Sequence, residues 1–556
     1  MSSPPPASSN VVDQTSIQPE LIQNQTTDIE AVAPVQTGAS DVPYTVFSPS
    51  RKRAICAAAT CSALFSPLAT NIYFPSITDI ASDLHVSVEM INITVTTYMI
   101  LQGIAPMFWG SFADAFGRRP VYLATITVFV FANLGLALQD SYAGLLVLRM
   151  CQSAGSSATV AIGAGTIADV AVPAERGHYM GLFSAGVMVA PAIAPIFGGA
   201  LSETSYGWRA SFWFLFAAGA ALLTILFVWM PETGRNIVGN GSIPPRGINM
   251  SLLDMFSRRQ KKEVGLVSTV TRKPHQAANP LRCIAIISQK DVGIVLLANG
   301  LIYTGFYCIT VGFSSQMATV YNLTTLKVGL CFLPYGAGCS MGSIVVGRLL
   351  DYEFRKFARK SDYGDGRSVR QNPDFPLERA RMSSVWYLVA VVAADTLIFG
   401  WTFRANISIA VPLVLLFING FGITGLFTFE QVLLVDLYPQ ESASVTAANN
   451  LVRCLLGAAG SAVVDRVISA IGMGWTYTIV TAMILLSIPL LIAELLCGQK
   501  WRRARFEKLQ ELSKDERRAE GKPERAKNGK GEDVEIPGAA SPDAEIDGAN
   551  SEHKKE

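Results

Sequence analysis

Three ionisable residues, Arg149, Glu430 and Arg453, interrupt long apolar stretches of the sequence. A charged group inside a membrane-spanning helix costs about 2.5–3.5 kcal/mol on the lenient insertion scale, so each should face a partner or a water-filled cavity. Two bases and one acid leave a surplus positive charge when Glu430 is ionised, which suits an anion. Burial disfavours the ionised form of a carboxyl group and a nearby arginine favours it, which is the balance that a proton-coupled site needs.

Alternative interpretations of these residues stay open. Asp395 lies in another apolar stretch and is the rival proton-carrying carboxyl group. Glu430 could instead reach the membrane surface and pair with a loop base. Arg149 begins the pattern R-x-x-Q, which ends at Gln152, and it could be a structural residue that donates to backbone carbonyl groups.

A polar segment between two apolar stretches has the spacing G-x-x-x-D-x-x-G-R-R. Glycine allows close approach of a helix end to its neighbour. The acid can lie near the positive N-terminal end of another helix, and the two arginines can face the cytoplasm and pair with it. The residues of this pattern are Gly110, Asp114, Gly117, Arg118 and Arg119.

The second half of the sequence repeats parts of the first. Gly347-x-x-x-Asp351 repeats the start of the pattern, but its Gly-Arg-Arg end is missing and a long polar segment follows. The segments 169–175 and 436–441 are also similar to each other, since each has Asp, then Pro, then Glu. These echoes predict two parallel six-helix repeats, with a substrate site between them near the middle of the membrane.

A later apolar stretch is rich in small residues and proline. Small residues every four positions allow close helix packing, and proline removes a backbone hydrogen bond and bends a helix. The residues concerned are Gly186, Ala190, Pro191, Ala194, Pro195, Gly198 and Gly199.

The composition indicates a membrane protein. Half of the 556 residues are hydrophobic and 16% are charged, against about a quarter in soluble domains. The net charge of +2 and the four histidines argue against nucleic acid as a partner and against a His-rich metal site. The nine cysteines have no C-x-x-C spacing, which argues against zinc. Neither a nucleophile elbow nor a Walker motif occurs, so we predict no enzyme, no cofactor and no direct use of ATP.

An all-α fold of twelve spans follows from apolar runs long enough to cross a bilayer. The predicted spans are 54–75, 90–111, 121–139, 143–168, 178–200, 210–230, 292–313, 326–349, 384–403, 408–432, 443–468 and 474–497. The predicted divisions are a disordered tail at 1–50, a six-helix bundle at 51–230, a central loop at 231–290, a second bundle at 291–498 and a charged tail at 499–556, disordered from 510.

The distribution of Lys and Arg predicts that both termini and the central loop are cytoplasmic, because cytoplasmic loops carry an excess of bases. The base run at 258–262 is then a topology signal or, as the alternative, a site for anionic lipid heads. Asn322 and Asn406 lie in Asn-x-[ST] matches in short outer connections, where glycosylation is possible.

These motifs resemble the major facilitator superfamily. The Gly110–Arg119 segment resembles its signature loop, which latches the two halves on the inner side. The Arg149–Gln152 pattern resembles a motif that is linked to proton transfer in antiporters. The stretch from Gly186 to Gly199 resembles the antiporter motif, with Ala190 and Ala194 in place of two glycines. Pro231-Glu232-Thr233 is a further trait of the family.

Two segments are more particular, Asn71-Ile-Tyr-Phe-Pro75 and Asn449-Asn450-Leu-Val-Arg453. They resemble the fungal quinidine-resistance and organic-acid exporter branch of the twelve-span drug:proton antiporters. Ser66 stands where many such antiporters have Asp. The resemblance, over about residues 50–500, implies a monomeric plasma-membrane exporter of small organic compounds by proton antiport, with Asn71 and Asn450 at the cavity. The alternatives are a citrate-like carboxylate exporter and a non-transporting membrane sensor.

Overall fold

The computed structural model describes residues 45–255, 282–360, 375–403, 407–438, 442–519, 525–527 and 533–535. Within these ranges, twelve helical segments are long and apolar enough to cross a membrane. The predicted all-α membrane fold and its number of spans are confirmed. Outside the spans, the last two ranges form a small antiparallel pair of strands, β1 (Arg525–Lys527) and β2 (Asp533–Glu535).

We number the spans 1 to 12 in chain order. The first six are Pro49–Asn71 continued by Phe74–Ser76 and Ile77–Asp83, Val88–Phe116, Arg118–Leu138, Tyr142–Ser156 continued by Ala158–Val170, Pro173–Ser202 and Arg209–Trp229. Ser48, Ser87 and Ser141 precede spans 1, 2 and 4, and each side chain accepts a hydrogen bond from a first-turn N–H group. These serines fix where the three helices begin.

The last six spans are Lys290–Val320, Thr325–Cys331 continued by Leu333–Lys360, Val385–Thr402, Ala410–Leu437, Ser442–Ile471 and Met473–Leu485 continued by Ser487–Ala519. Shorter helices connect some of them: Arg235–Val238, the 3-10 turn Gly247–Asn249, Arg282–Ile287 and Leu377–Arg381.

Several helices continue beyond their predicted ends. The predicted boundaries stop at the first charged residues, but a helix can continue into water because each added residue forms another backbone hydrogen bond. Span 8 therefore reaches Lys360 and span 12 reaches Ala519. The proposed tail from 499 begins inside span 12, and the expected disorder from 510 is wrong for residues up to Ala519. The expected tail at 1–44 and the base run at 258–262 lie outside the described residues.

An even number of spans places Pro49 and the end of span 12 on the same side, which we call the termini face; the opposite side is the far face. The two six-span halves pack tightly near the far face. A Cβ atom at Gly199 in span 5 would lie 2.7 Å from the Thr325 carbonyl oxygen in span 8. Asp79 also accepts a 2.6 Å hydrogen bond from the Thr325 hydroxyl.

The halves are separated on the termini side. A Cβ atom at Gly110 in span 2 or at Gly181 in span 5 would have no heavy atom within 4 Å beyond its own helix and chain neighbours. Both glycines lie in the termini-side portions of spans that pack against the opposite half near the far face. The structure is therefore closed at the far face and open towards the termini face.

Candidate functional site

The span 4 arginine lies between two tyrosine rings. The guanidinium of Arg149 is 4.2 Å from the ring centre of Tyr73 and 4.3 Å from that of Tyr98. Its Nη1 donates to Gln152 Oε1 at 2.6 Å and to the Ala69 carbonyl oxygen at 3.2 Å. Arg149 is fully buried, and its Nε and Nη2 have no hydrogen-bond partner among the described residues. Two nitrogen atoms of this guanidinium are thus unused by the described residues.

Polar residues of the first half hold this arginine in position. Gln152 donates from Nε2 to Asn133 Oδ1 at 2.7 Å, which orients its carbonyl oxygen towards Arg149. The Tyr73 hydroxyl is 2.8 Å from Thr94 Oγ1. Asn71, predicted at the cavity, donates 2.7 Å to the Pro67 carbonyl oxygen within its own helix. Its amide nitrogen is therefore engaged in holding the end of that helix.

The span 11 arginine is linked to both halves. Arg453 donates from Nη2 to Asn450 Oδ1 at 2.9 Å. The same Asn450 donates from Nδ2 to the Gln102 carbonyl oxygen of span 2 at 2.7 Å. Tyr303 of span 7 lies against the Arg453 guanidinium, with the ring centre 5.1 Å away. The predicted pair Asn450 and Arg453 therefore lies where the two halves meet.

Glu430 of span 10 is the acid of this site. It is fully buried, and neither carboxylate oxygen has a hydrogen-bond partner among the described residues. Arg453 is the base that interacts with it electrostatically. Seven residues separate Glu430 from the end of span 10, about 10 Å at 1.5 Å per residue. This burial argues against a side chain that reaches the surface to pair with a loop base.

Tyr307 of span 7 lies between the aromatic neighbours of the two arginines. Its ring centre is 6.4 Å from that of Phe74, which follows Tyr73 in the first half. Its hydroxyl accepts a 3.5 Å hydrogen bond from Tyr303, whose ring lies against Arg453. Aromatic rings surround it on the second half, including Tyr303 at 5.0 Å and Phe306 at 4.9 Å between ring centres. Both cations therefore border one region between the halves, and an anion with two charged groups could contact both.

The loop motif forms an ion-pair cluster at the termini face. Arg118 is 2.9 Å from Asp114 and 2.9 Å from Asp169 at the end of span 4. The expectation that both arginines face the cytoplasm and pair with Asp114 is wrong for Arg119, which is 2% exposed. Arg119 donates instead to the carbonyl oxygens of Met230 and Phe227 at the end of span 6, because those carbonyl groups lack helical partners.

Glu232 caps the start of span 3. Its carboxylate accepts hydrogen bonds from the backbone N–H groups of Arg118, Arg119, Thr233 and Gly234, at 2.7–3.2 Å. Burial raises the pKa of the Glu232 carboxyl group above its ordinary value, and the four N–H donors oppose that rise. A Cβ atom at Gly117 would collide with this carboxylate, and Gly117 has φ = +104°. Both facts explain why position 117 is occupied by glycine.

The second half has an equivalent ion-pair cluster, but its arginine comes from a different position in the sequence. Asp436 and Asp351 lie 2.8 and 3.6 Å from Arg381, in the short helix before span 9. Arg355 follows Asp351 at the four-residue spacing that separates Asp114 from Arg118, but it is exposed and forms no ion pair with Asp351. Arg381, after the polar segment, is the base that pairs with Asp351. Asp351, Arg381 and Asp436 thus correspond to Asp114, Arg118 and Asp169. The predicted repeat extends to this ion-pair geometry.

We expect Arg118→Ala and Asp114→Asn each to leave membrane insertion intact and to reduce the transport rate more than tenfold. Asp114 has a 45% exposed side chain, so its loss should cost little stability. Conformational equilibria respond to changes of about 1–3 kcal/mol. Surface abundance and transport rate are measured together, with Asp140→Asn, which removes a carboxylate from an exposed far-face ion pair, as the control. Normal transport, or loss of the protein from the membrane, contradicts the prediction.

The small residues of span 5 are packing positions. Cβ atoms at Gly186 and Gly198 would collide with Thr60 and with the Ile72 carbonyl oxygen, both in the region of span 1. The Pro195 carbonyl oxygen lies against Gly329 of span 8. Span 5 contains Pro191 and Pro195 without a break in the helix. This segment closes the far side of the site.

Other buried acids lie outside this arrangement. Asp395 of span 9 accepts a 3.0 Å hydrogen bond from Asn419 Nδ2 in span 10, away from both arginines. The half-buried Asp465 and the buried Glu494 were not predicted as site acids, although both fall within predicted apolar runs. The described residues contain no group of His, Cys, Asp and Glu that could hold a metal ion. The second Asp-Pro-Glu segment at 439–441 and Asn406 lie outside the described residues.

The comparisons with known proteins agree with this arrangement. The profile of the Major Facilitator Superfamily matches residues 59–461. "MFS-type transporter phiD" from Fungal sp. is 39% identical over 84% of this chain and 72% of its own length. "Citrate exporter 1" from Aspergillus niger is 38% identical over 84% of this chain and 90% of its own. These relatives confirm the prediction of a transporter that is not an enzyme.

Solved structures share the fold at low sequence identity. The D-xylose-proton symporter has a TM-score of 0.57 at 14% identity and covers 79% of this chain and 97% of its own. The human organic anion transporter MFSD10 (TETRAN) has a TM-score of 0.51 at 17% identity and covers 80% of this chain and all of its own. With two six-span halves, a buried charged site between them and a profile match over most of its length, the chain belongs to the Major Facilitator Superfamily.

Proposed function

We propose that this transporter exports small organic anions, of the carboxylate class, from the cytoplasm across the plasma membrane in exchange for protons. One observation carries the proposal: Arg149 and Arg453 border one region between the halves, which the rings of Tyr73, Phe74, Tyr307 and Tyr303 connect. Glu430 is the buried acid that has Arg453 as its charge neighbour. Arg149 keeps two nitrogen donors unused by the described residues. Arginine binds carboxylates through paired N–H donors, so the arrangement suits an anionic substrate.

The termini face is the cytoplasmic face in this proposal. Arg51, Lys52 and Arg118 of the first half lie on it, and Arg381, Arg502 and Arg505 of the second half do so as well. Such an excess of bases marks the cytoplasmic side. The open site then faces the cytoplasm, from which an exporter takes its substrate. The similarity to a fungal protein named as a citrate exporter is consistent with this direction.

A second candidate substrate class is larger, partly aromatic compounds, including drugs and toxic metabolites. The observation that favours it is the aromatic cluster on the second half, where Phe306 stacks on Tyr335 with ring centres 5.9 Å apart and Phe427 lies 5.4 Å from Tyr303. Aromatic walls bind flat apolar groups well. Uncharged compounds would use these walls and leave the arginines unpaired.

Inside-out vesicles test the proposal, because their bath contacts the cytoplasmic face. Labelled tricarboxylate, dicarboxylate, organic cation and neutral azole are offered with an acidic lumen, with and without an uncoupler. We expect uptake of the carboxylates that falls when the uncoupler is added. Uptake of the cation or azole alone would support the second candidate, and no transport of any compound would support a sensor.

A further inference from the structure

The cytoplasmic end of span 8 has a row of exposed arginines on one side of the helix. Arg348, Arg355 and Arg359 follow one another at spacings of seven and four, with the exposed Tyr352 between the first two. Residues at such spacings share one helix face. These four residues, with Asp351 and Lys356, line an open surface cavity of about 710 Å³. Four bases against one acid make this surface strongly positive.

The same face is exposed to lipid further along the helix. Leu333, Met341 and Val345 precede the row at helical spacing and are 46%, 51% and 43% exposed. Leu333 lies near the far face, where Gly329 and Gly336 of span 8 pack against span 5 of the other half. An apolar side chain that stays exposed where the halves are packed together must face the bilayer. The arginines therefore continue a lipid-facing stripe and do not continue the face that meets span 5.

The depth of the row matches the lipid headgroups. A hydrocarbon core of about 30 Å takes about 20 helical residues. Counted from Thr325 at the far face, this length ends close to Val345. Arg348 then lies at headgroup level, with Arg355 and Arg359 one to two turns beyond. Tyr352, 63% exposed, lies at the interface where tyrosine is enriched.

Within the described part of the chain, the arginines of the row are left unpaired. The described residues form no ion pair with Arg348, Arg355 or Arg359. The nearby acids are directed elsewhere, since Asp351 lies 3.6 Å from Arg381 and Glu353 accepts 2.9 Å from the Ser384 hydroxyl. Arginine forks match phosphate and carboxylate oxygens, and both groups occur in anionic phospholipid heads.

We propose that this face of span 8 binds the headgroup of an anionic phospholipid of the cytoplasmic leaflet. The bound lipid lies beside Asp351 and so beside the ion-pair cluster of the second half. This site is separate from the transported substrate, and its existence does not depend on which compound is exported. It does require that the termini face is cytoplasmic.

The test measures binding of fluorescent phosphatidylserine to the purified full-length protein in phosphatidylcholine–detergent micelles. The variant combines Arg348→Gln, Arg355→Gln and Arg359→Gln. Each base near an anionic surface contributes about 1 kcal/mol, a factor of about five, so we expect binding to weaken more than tenfold. The charge-matched control combines Arg379→Gln, Lys500→Gln and Lys508→Gln, three exposed bases elsewhere on the termini side, and should bind as the wild type does.

Two further measurements separate specific lipid binding from misfolding of the variant and from binding of a free headgroup. A triple arginine-to-lysine variant keeps the charge and should retain most of the binding, which a misfolded helix would not. Glycerophosphoserine, the soluble headgroup, should compete only weakly, because it lacks the apolar chains that contact Met341 and Val345. Unchanged phosphatidylserine binding in the glutamine variant, equal loss in the control, or full competition by glycerophosphoserine would each overturn the proposal.

Discussion

Arg453→Ala is expected to raise the KM for carboxylate substrates roughly 30-fold or more, while the protein still reaches the membrane. In the proposed site Arg453 pairs with a carboxylate group of the substrate. Removing one partner of such a buried, hydrogen-bonded charge pair costs about 2–5 kcal/mol. Arg453 contacts Asn450, which donates to span 2 of the opposite half. Loss of the guanidinium therefore removes a cation from the point where the halves meet. Transport rates at a series of carboxylate concentrations give the KM directly.

The same helix provides the control for this prediction. Arg466 is an exposed base 13 residues further along span 11, so Arg466→Ala removes an equal charge near the far face. It should leave the KM for carboxylates unchanged. Arg453→Lys keeps the charge without the planar fork and should give an intermediate KM. If Arg453→Ala transports carboxylates with wild-type KM but loses uncharged compounds, the anion site lies elsewhere.

The sequence predicted the spans well because membrane crossing leaves a long signal. About 20 consecutive apolar residues are needed, and each run of that kind became a helix in the described residues. The ends of the helices were less predictable. The apolar run ends at the first charged residues, but the backbone hydrogen bonds of the helix continue beyond them. Span 8 continues to Lys360 for this reason, and Arg355 and Arg359 of the arginine row lie in that extension.

The sequence predicted the ionisable residues of the candidate site, but not the side chains that contact them. Arg149, Glu430 and Arg453 stand out because ionisable residues are rare in apolar runs. Tyr73, Tyr98 and Tyr307 carry no such signal, since tyrosine is ordinary in membrane helices. Their role follows only from the approach of spans 1, 2 and 7 to the arginines, which no local pattern specifies.

Arg381 is another residue whose contacts no local sequence pattern predicts. The sequence offered an incomplete motif at Asp351, and nothing local links it to a base 30 residues later. The fold makes the link, because spans 8 and 10 end beside the short helix that carries Arg381. Its counterpart Arg118 lies four residues after Asp114 and pairs with it, whereas Arg355 has the same spacing from Asp351 and does not pair with it.

Glu430→Gln, the second large effect, is expected to retain substrate binding and to lose the dependence of export on the proton gradient. A buried carboxylate with no hydrogen-bond donor is costly when ionised. Glu430 has no such donor among the described residues, and Arg453 is its charge neighbour. For exchange, Glu430 must take up a proton from the far side after the anionic substrate has departed, and release it to the cytoplasm before the next substrate is carried outwards. Glutamine keeps the shape and cannot exchange a proton.

The measurement compares the initial rate of carboxylate uptake into inside-out vesicles at several lumenal pH values and one bath pH. The wild type should accelerate as the lumen becomes more acidic, and Glu430→Gln should give one rate throughout. Asp395→Asn is the matched variant, since Asp395 is also a buried span acid but pairs with Asn419 away from the arginines. It should keep the wild-type pH response. A pH response that survives in Glu430→Gln and disappears in Asp395→Asn would transfer the coupling role to span 9. A response that survives in both would place proton coupling outside these two carboxyl groups, and anion export would then have to draw on another gradient.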